Sequence, residues 1–203
     1  MLQTTSQRVS RLLVLLVLST WSAATLAHAE VGVGGGLVSG LLHPIFGLDH
    51  LLAMIAVGLW GAQLGRPAIY LLPITFPMVM ALGGLLGIAG MSLPFIEVGI
   101  ALSALALGAM VAANMRPPLW IAATLVGLFA VFHGHAHGTE MPGAANPLAY
   151  GIGFVISTGL LHLAGILIGL LIHWPIGALV IRMCGAVISG FGVFFMASIA
   201  GLA

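Results

Sequence analysis

The chain has no lysine, and its 203 residues carry only five arginines and four carboxylates. So few charges cannot coat a water-soluble globule of this size. With 61% of residues hydrophobic, the sequence reads as an integral membrane protein. The net charge of +1 leaves no basic patch for a nucleic-acid partner. A single cysteine, Cys184, excludes an intrachain disulfide framework and any CxxC site, and it reads as a small buried hydrophobe. Strict apolar/polar alternation is absent, which argues against a β-barrel. No nucleotide-binding motif occurs, so an ATP-driven pump would need another subunit. What is abundant is glycine, 29 residues, roughly twice the ordinary usage and suited to helices whose backbones approach closely in lipid.

The first segment has the pattern of a processing signal. Arg8 and Arg11 precede an apolar core from Leu12 to Leu18, and Ala27-His28-Ala29 is a small-x-small cleavage site. Residues 1–29 are therefore expected to be a cleavable signal peptide, the alternative being an uncleaved first transmembrane helix. Residues 30–203 are expected to form one all-α, polytopic helical bundle. Six apolar stretches near residues 37–62, 69–89, 95–115, 118–139, 147–172 and 176–200 match the length needed to cross a bilayer core of about 30 Å. Arg66, Arg116 and Arg182 fall at one end of this layout and Glu30, Glu97 and Glu140 at the other. Arginines favour the cytoplasmic side, which places both mature termini on the periplasmic side of a bacterial inner membrane.

The first span is irregular. Val31 to Gly40 carries five glycines, and Pro44 disfavours helical geometry at His43. The expectation is a loose or re-entrant outer segment through His43, then a helix from about Pro44 to Gln63.

Nearly all the chemistry lies in two segments, His43-Pro44-Ile45-Phe46-Gly47-Leu48-Asp49-His50 and Phe132-His133-Gly134-His135-Ala136-His137-Gly138-Thr139-Glu140. Ionisable groups in hydrocarbon cost about 2.5–3.5 kcal/mol each on insertion scales, so a cluster of them marks an ion or substrate path. Imidazole with carboxylate is also a transition-metal ligand set. With a helix starting at Pro44, His50 lies about 10 Å below the outer face, and His133 lies about 10 Å below Glu140, which is the condition for one shared site. His133, His137 and Glu140 follow i, i+4, i+7 and share a stripe, whereas His135 points away. Asp49 is either a ligand or a partner that orients His50 or His133. Glu97 is a secondary candidate at the mouth, and His162, deeper in the fifth span, is a relay toward the cytoplasm or a packing residue. Met54 reads as core and His173 as interfacial.

The two segments resemble the HupE/UreJ family, whose patterns HPxxGxDH and FHGxAHGxE both occur here. The resemblance implies a nickel permease, with cobalt as a further cargo, that supplies hydrogenase or urease maturation. Carried over, it selects His43, Asp49, His50, His133, His137 and Glu140 as the metal site. On this reading no cofactor is permanently bound and the partners are membrane lipid and a divalent ion, Ni2+ with Co2+ or Zn2+ as substitutes. Uptake should weaken as pH falls below about 6, where histidine protonation competes with metal. Zinc or copper transport and an intramembrane zinc-dependent hydrolase are the alternatives. Copper(I) is disfavoured by scattered methionines, and the hydrolase by the absence of HExxH.

Overall fold

A computed structural model describes residues 32–141 and 146–202. The expected signal peptide lies outside these described residues. Among them the chain is all-helical: α1 (Gly32–Phe46), α2 (Leu48–Leu64), α3 (Ala68–Ile88), α4 (Ile96–Ala112), α5 (Leu119–Glu140), α6 (Pro147–Gly169), a 3-10 turn (Leu170–His173) and α7 (Gly177–Ile199). Four of these segments are long and apolar enough to cross a membrane: α3, α5, α6 with its 3-10 extension, and α7. The pair α1/α2 makes a fifth if its two arms, bent by 77°, count as one span, and α4 is a shorter apolar helix. Their outer surfaces display large apolar side chains such as Ile74, Leu82, Leu148, Leu160 and Leu179, the surface a lipid-embedded bundle needs.

The bend departs from the expectation at Pro44. The outer arm is helical rather than loose, Pro44 sits inside α1, and the break falls at Gly47, whose ψ of 100° is extended. Pro44 has no N–H to give the Gly40 carbonyl and its ring crowds that carbonyl, yet the helix runs on through it to Phe46. The glycines of α1 are a packing surface, not a loosening device. A Cβ at Gly40 would collide with the Tyr150 backbone of α6, so the absence of side chains lets α1 lie against that helix.

Packing follows a simple plan. Helix α3 pairs with α5, α4 with α7, and α6 lies against both α1 and α2, while α2 runs through the middle and also touches α3, α4 and α7. The contact of α3 with α5 depends on Gly134 and Gly138, where a Cβ would strike the carbonyls of Met80 and Gly84. At the other end of the bundle, α4 is tied down by side chains that reach the carbonyls at its end and just beyond it. Gln63 Nε2 donates to Val111 O at 3.0 Å, Arg182 Nε to Ala112 O at 2.8 Å, and Trp60 Nε1 to Met115 O at 3.0 Å. A guanidinium at a helix C-terminus also complements the negative end of its dipole.

Candidate metal path

Because α1 and α5 end where α2, α4 and α6 begin, both histidine segments come to one end of the bundle. Glu140 is at the exposed tip of α5, with His137 and His133 each about one turn deeper on the same face, a descent of about 10 Å. The end of α1 brings His43 to this stripe, and the first turn of α2 brings Asp49 and His50.

The imidazoles form a ladder. His43 Nε2 is 3.6 Å from Glu140 Oε2, and the His43 and His137 ring centroids are 4.7 Å apart. His137 is 4.3 Å from His50, and His50 is 4.6 Å from His133, again between centroids. Exposure falls along the series from half-exposed Glu140 to fully buried His133. Among the described residues, His43, His137 and Glu140 form a group whose ligand atoms all lie within 4.8 Å of one another, close enough to hold one ion. The sequence pattern treats His43, Asp49, His50, His133, His137 and Glu140 as a single site. The geometry divides it, joining His137 to His43 and Glu140 and setting His50 and His133 beneath them.

Hydrogen bonds fix which nitrogen each ring presents. His50 Nδ1 lies 2.7 Å from Asp49 Oδ1, and that oxygen also accepts the His50 backbone N–H at 2.8 Å. The carboxylate thus holds a proton on Nδ1 and leaves Nε2, buried and unpartnered, as the free lone pair. Asp49 therefore has the geometry of an orienting partner. His133 has a different one: Ser103 of α4 donates its only hydroxyl hydrogen to Ile100 O at 2.6 Å and lies 2.8 Å from His133 Nε2. Its oxygen accepts from Nε2–H, and Nδ1 is left free. Both nitrogens of His137 lack partners. Each buried, unpaired polar atom costs about 1–3 kcal/mol, so a run of them without a ligand would be expensive to keep.

His135 stands apart, as its facing requires. Its Nε2 makes a 2.6 Å contact with the Met91 carbonyl, which pins the loop between α3 and α4 to α5. That loop leads into the first turn of α4 and its exposed Glu97, which is within electrostatic reach of Glu140, Asp49 and His50 without touching them. His162 is buried in α6 below the ladder, Met54 is core, and His173 is exposed at the arginine end.

Reading the motifs alone missed four residues around the ladder. Ser103 orients His133, Phe154 lies 3.9 Å from His137 between centroids, Tyr150 flanks His43, and Phe76 touches His133 from α3. The lone hydroxyl of Ser103 in an apolar helix was the available signal. The aromatic rings carry none, because a buried phenylalanine in a membrane helix reads as core.

The family model described as HupE / UreJ protein matches residues 14–195. The chain is 43% identical over 173 residues to Protein HupE of Rhizobium leguminosarum bv. viciae, an alignment covering 85% of this chain and 91% of that protein. No solved structure matches significantly.

Proposed function

Since the chain belongs to the HupE/UreJ family, we propose that it is a permease importing a divalent transition metal, nickel first and cobalt next, through the histidine ladder. The observation that carries this reading is the ladder itself: imidazoles with free nitrogens, graded from exposed to buried, beneath a glutamate in a membrane bundle. A hydrated cation drawn by Glu97 and Glu140 exchanges water for His43, His137 and Glu140, then passes to His50 and His133. Each site must bind weakly enough to release to the next.

The metal's identity comes from the family, because imidazole and carboxylate would hold copper more tightly than nickel and zinc comparably. The same reading makes α4 a sixth span, residues 1–29 a cleaved signal, and the ladder end periplasmic at a bacterial inner membrane, with the arginines inside. It assigns no resident cofactor, and the delivered metal serves hydrogenase or urease maturation.

One observation favours a hydrolase as the second reading. An apolar cavity of about 640 Å³ between α3, α5 and α6 reaches His137 and offers a lateral route for a lipid chain. Accumulation of metal at sub-micromolar nickel separates the two. The permease reading expects loss of accumulation in His50→Ala and His133→Ala and little change in His135→Ala. Equal accumulation in all of them ends it, and lipid hydrolysis dependent on His133 would establish the enzyme.

A further inference from the structure

The ladder ends at His133, but the buried polar groups do not. Phe76 touches both His133 and a further buried imidazole, His162, with ring centroids 5.5 Å from Phe76 to His133 and 5.5 Å from Phe76 to His162. His162 is 1% exposed and neither of its nitrogens has a hydrogen-bond partner. Thr158, one turn nearer the ladder on the same face of α6, and Ser157 beside it are equally buried, and both hydroxyls are unpartnered. Helix α3 contributes a further oxygen. Pro77 has no N–H, so the carbonyl of Pro73 lacks its helical bond, and it faces His162 without closing a well-formed hydrogen bond.

We propose that His162, the Thr158 hydroxyl and the Pro73 carbonyl form an inner ion station for a divalent metal, and that the Phe76 ring is the barrier between it and the outer ladder. This rests on the transport reading above. Even if the Pro73 carbonyl takes one ring N–H, a packing role for His162 would leave its other nitrogen and two hydroxyls buried without partners in one stretch of α6, against the rule that such groups are satisfied. An ion with its own water supplies what they lack. Phe76 is completely buried, and an apolar ring between two polar stations is a dewetting gate, closed to an ion until the ring moves. Pro73 and Pro77 bracket Phe76 and weaken the helical bonding around it, which gives the ring's helix room to shift.

The test uses the full-length protein in liposomes loaded with a nickel-quenched dye, together with equilibrium nickel binding in detergent. His162→Leu should keep the outer ladder's nickel affinity, because those ligands are intact, yet take nickel up more slowly, by about tenfold or more. Phe76→Ala should admit magnesium faster than the wild type does, and Phe76→Leu should not. Wild-type uptake by His162→Leu, or unaltered selectivity in Phe76→Ala, overturns the inner station and its barrier. If His162→Leu fails to reach the membrane, Thr158→Val decides: slower uptake with intact binding supports the station, and wild-type uptake overturns it. His50→Ala distinguishes the two levels of the argument. If it takes up nickel like the wild type, the transport reading fails and the station with it. If it is defective while His162→Leu is not, the station alone fails.

Discussion

At one end of the bundle Asp49, Glu97 and Glu140 share a mouth with four imidazoles; at the other, Arg66, Arg116 and Arg182 have no carboxylate beside them among the described residues. The arginine end also holds a cavity of about 660 Å³, lined by Arg66, Arg116, Gln63 and His173. Both ends belong to the same apolar scaffold, so the contrast lies in what each offers a cation. The carboxylate end attracts it and supplies lone pairs, while the arginine end repels it and supplies almost none. A chain with so few charges that sorts them this completely is electrostatically polar: on the proposed transport reading, capture belongs to the carboxylate face.

The contrast can be broken most severely at His137, which belongs both to the mouth triad and to the ladder. His137→Ala should reduce nickel uptake by more than the about 10–100-fold that loss of a partner to a metal-bound histidine costs, as measured by accumulation in whole cells. Ser103→Ala removes such a partner without removing a ligand. It should weaken equilibrium nickel binding by about tenfold, because His133 loses the bond that fixes its tautomer. A smaller change tests the scaffold alone: Gly134→Ala pushes a methyl into the Met80 carbonyl and should destabilise the protein by about 1–3 kcal/mol, read as a lower Tm in detergent.

Long-range attraction should be the weaker part of capture. Glu140→Gln should slow uptake by a few-fold at low ionic strength, beyond its loss as a ligand, and the slowing should shrink as salt screens the mouth. The smallest effect is expected for His135→Ala, which frees the Met91 loop but touches no ligand. Its uptake should stay near the wild-type rate.

How much of this was legible in the sequence differs by element. The helical segments α3, α5, α6 and α7 stood out because each is a long apolar run bounded by proline, glycine or arginine. The stripe of His133, His137 and Glu140 followed from the helical period, and so did the exclusion of His135. The break between α1 and α2 was misplaced by a few residues. Proline and glycine compete there as breakers, and the local pattern does not say that α6 supports the helix through Pro44. The glycines of α1 were misread for the same reason, since the helix they lie against is more than a hundred residues away in the chain. Ser103, Phe76 and Phe154 come from helices that carry no motif, so only tertiary packing brings them to the site. The grouping of His137 with His43 and Glu140 likewise depends on tertiary packing, because the end of α1 has to be brought against α5.

The central claim is that His137, with His43 and Glu140, holds the entering ion. Nickel X-ray absorption on the purified protein tests it most directly. The account predicts imidazole nitrogen and carboxylate oxygen donors around nickel in the wild type, with fewer imidazoles in His137→Ala and an unchanged spectrum in His135→Ala. An identical nickel environment in the wild type and His137→Ala would contradict it.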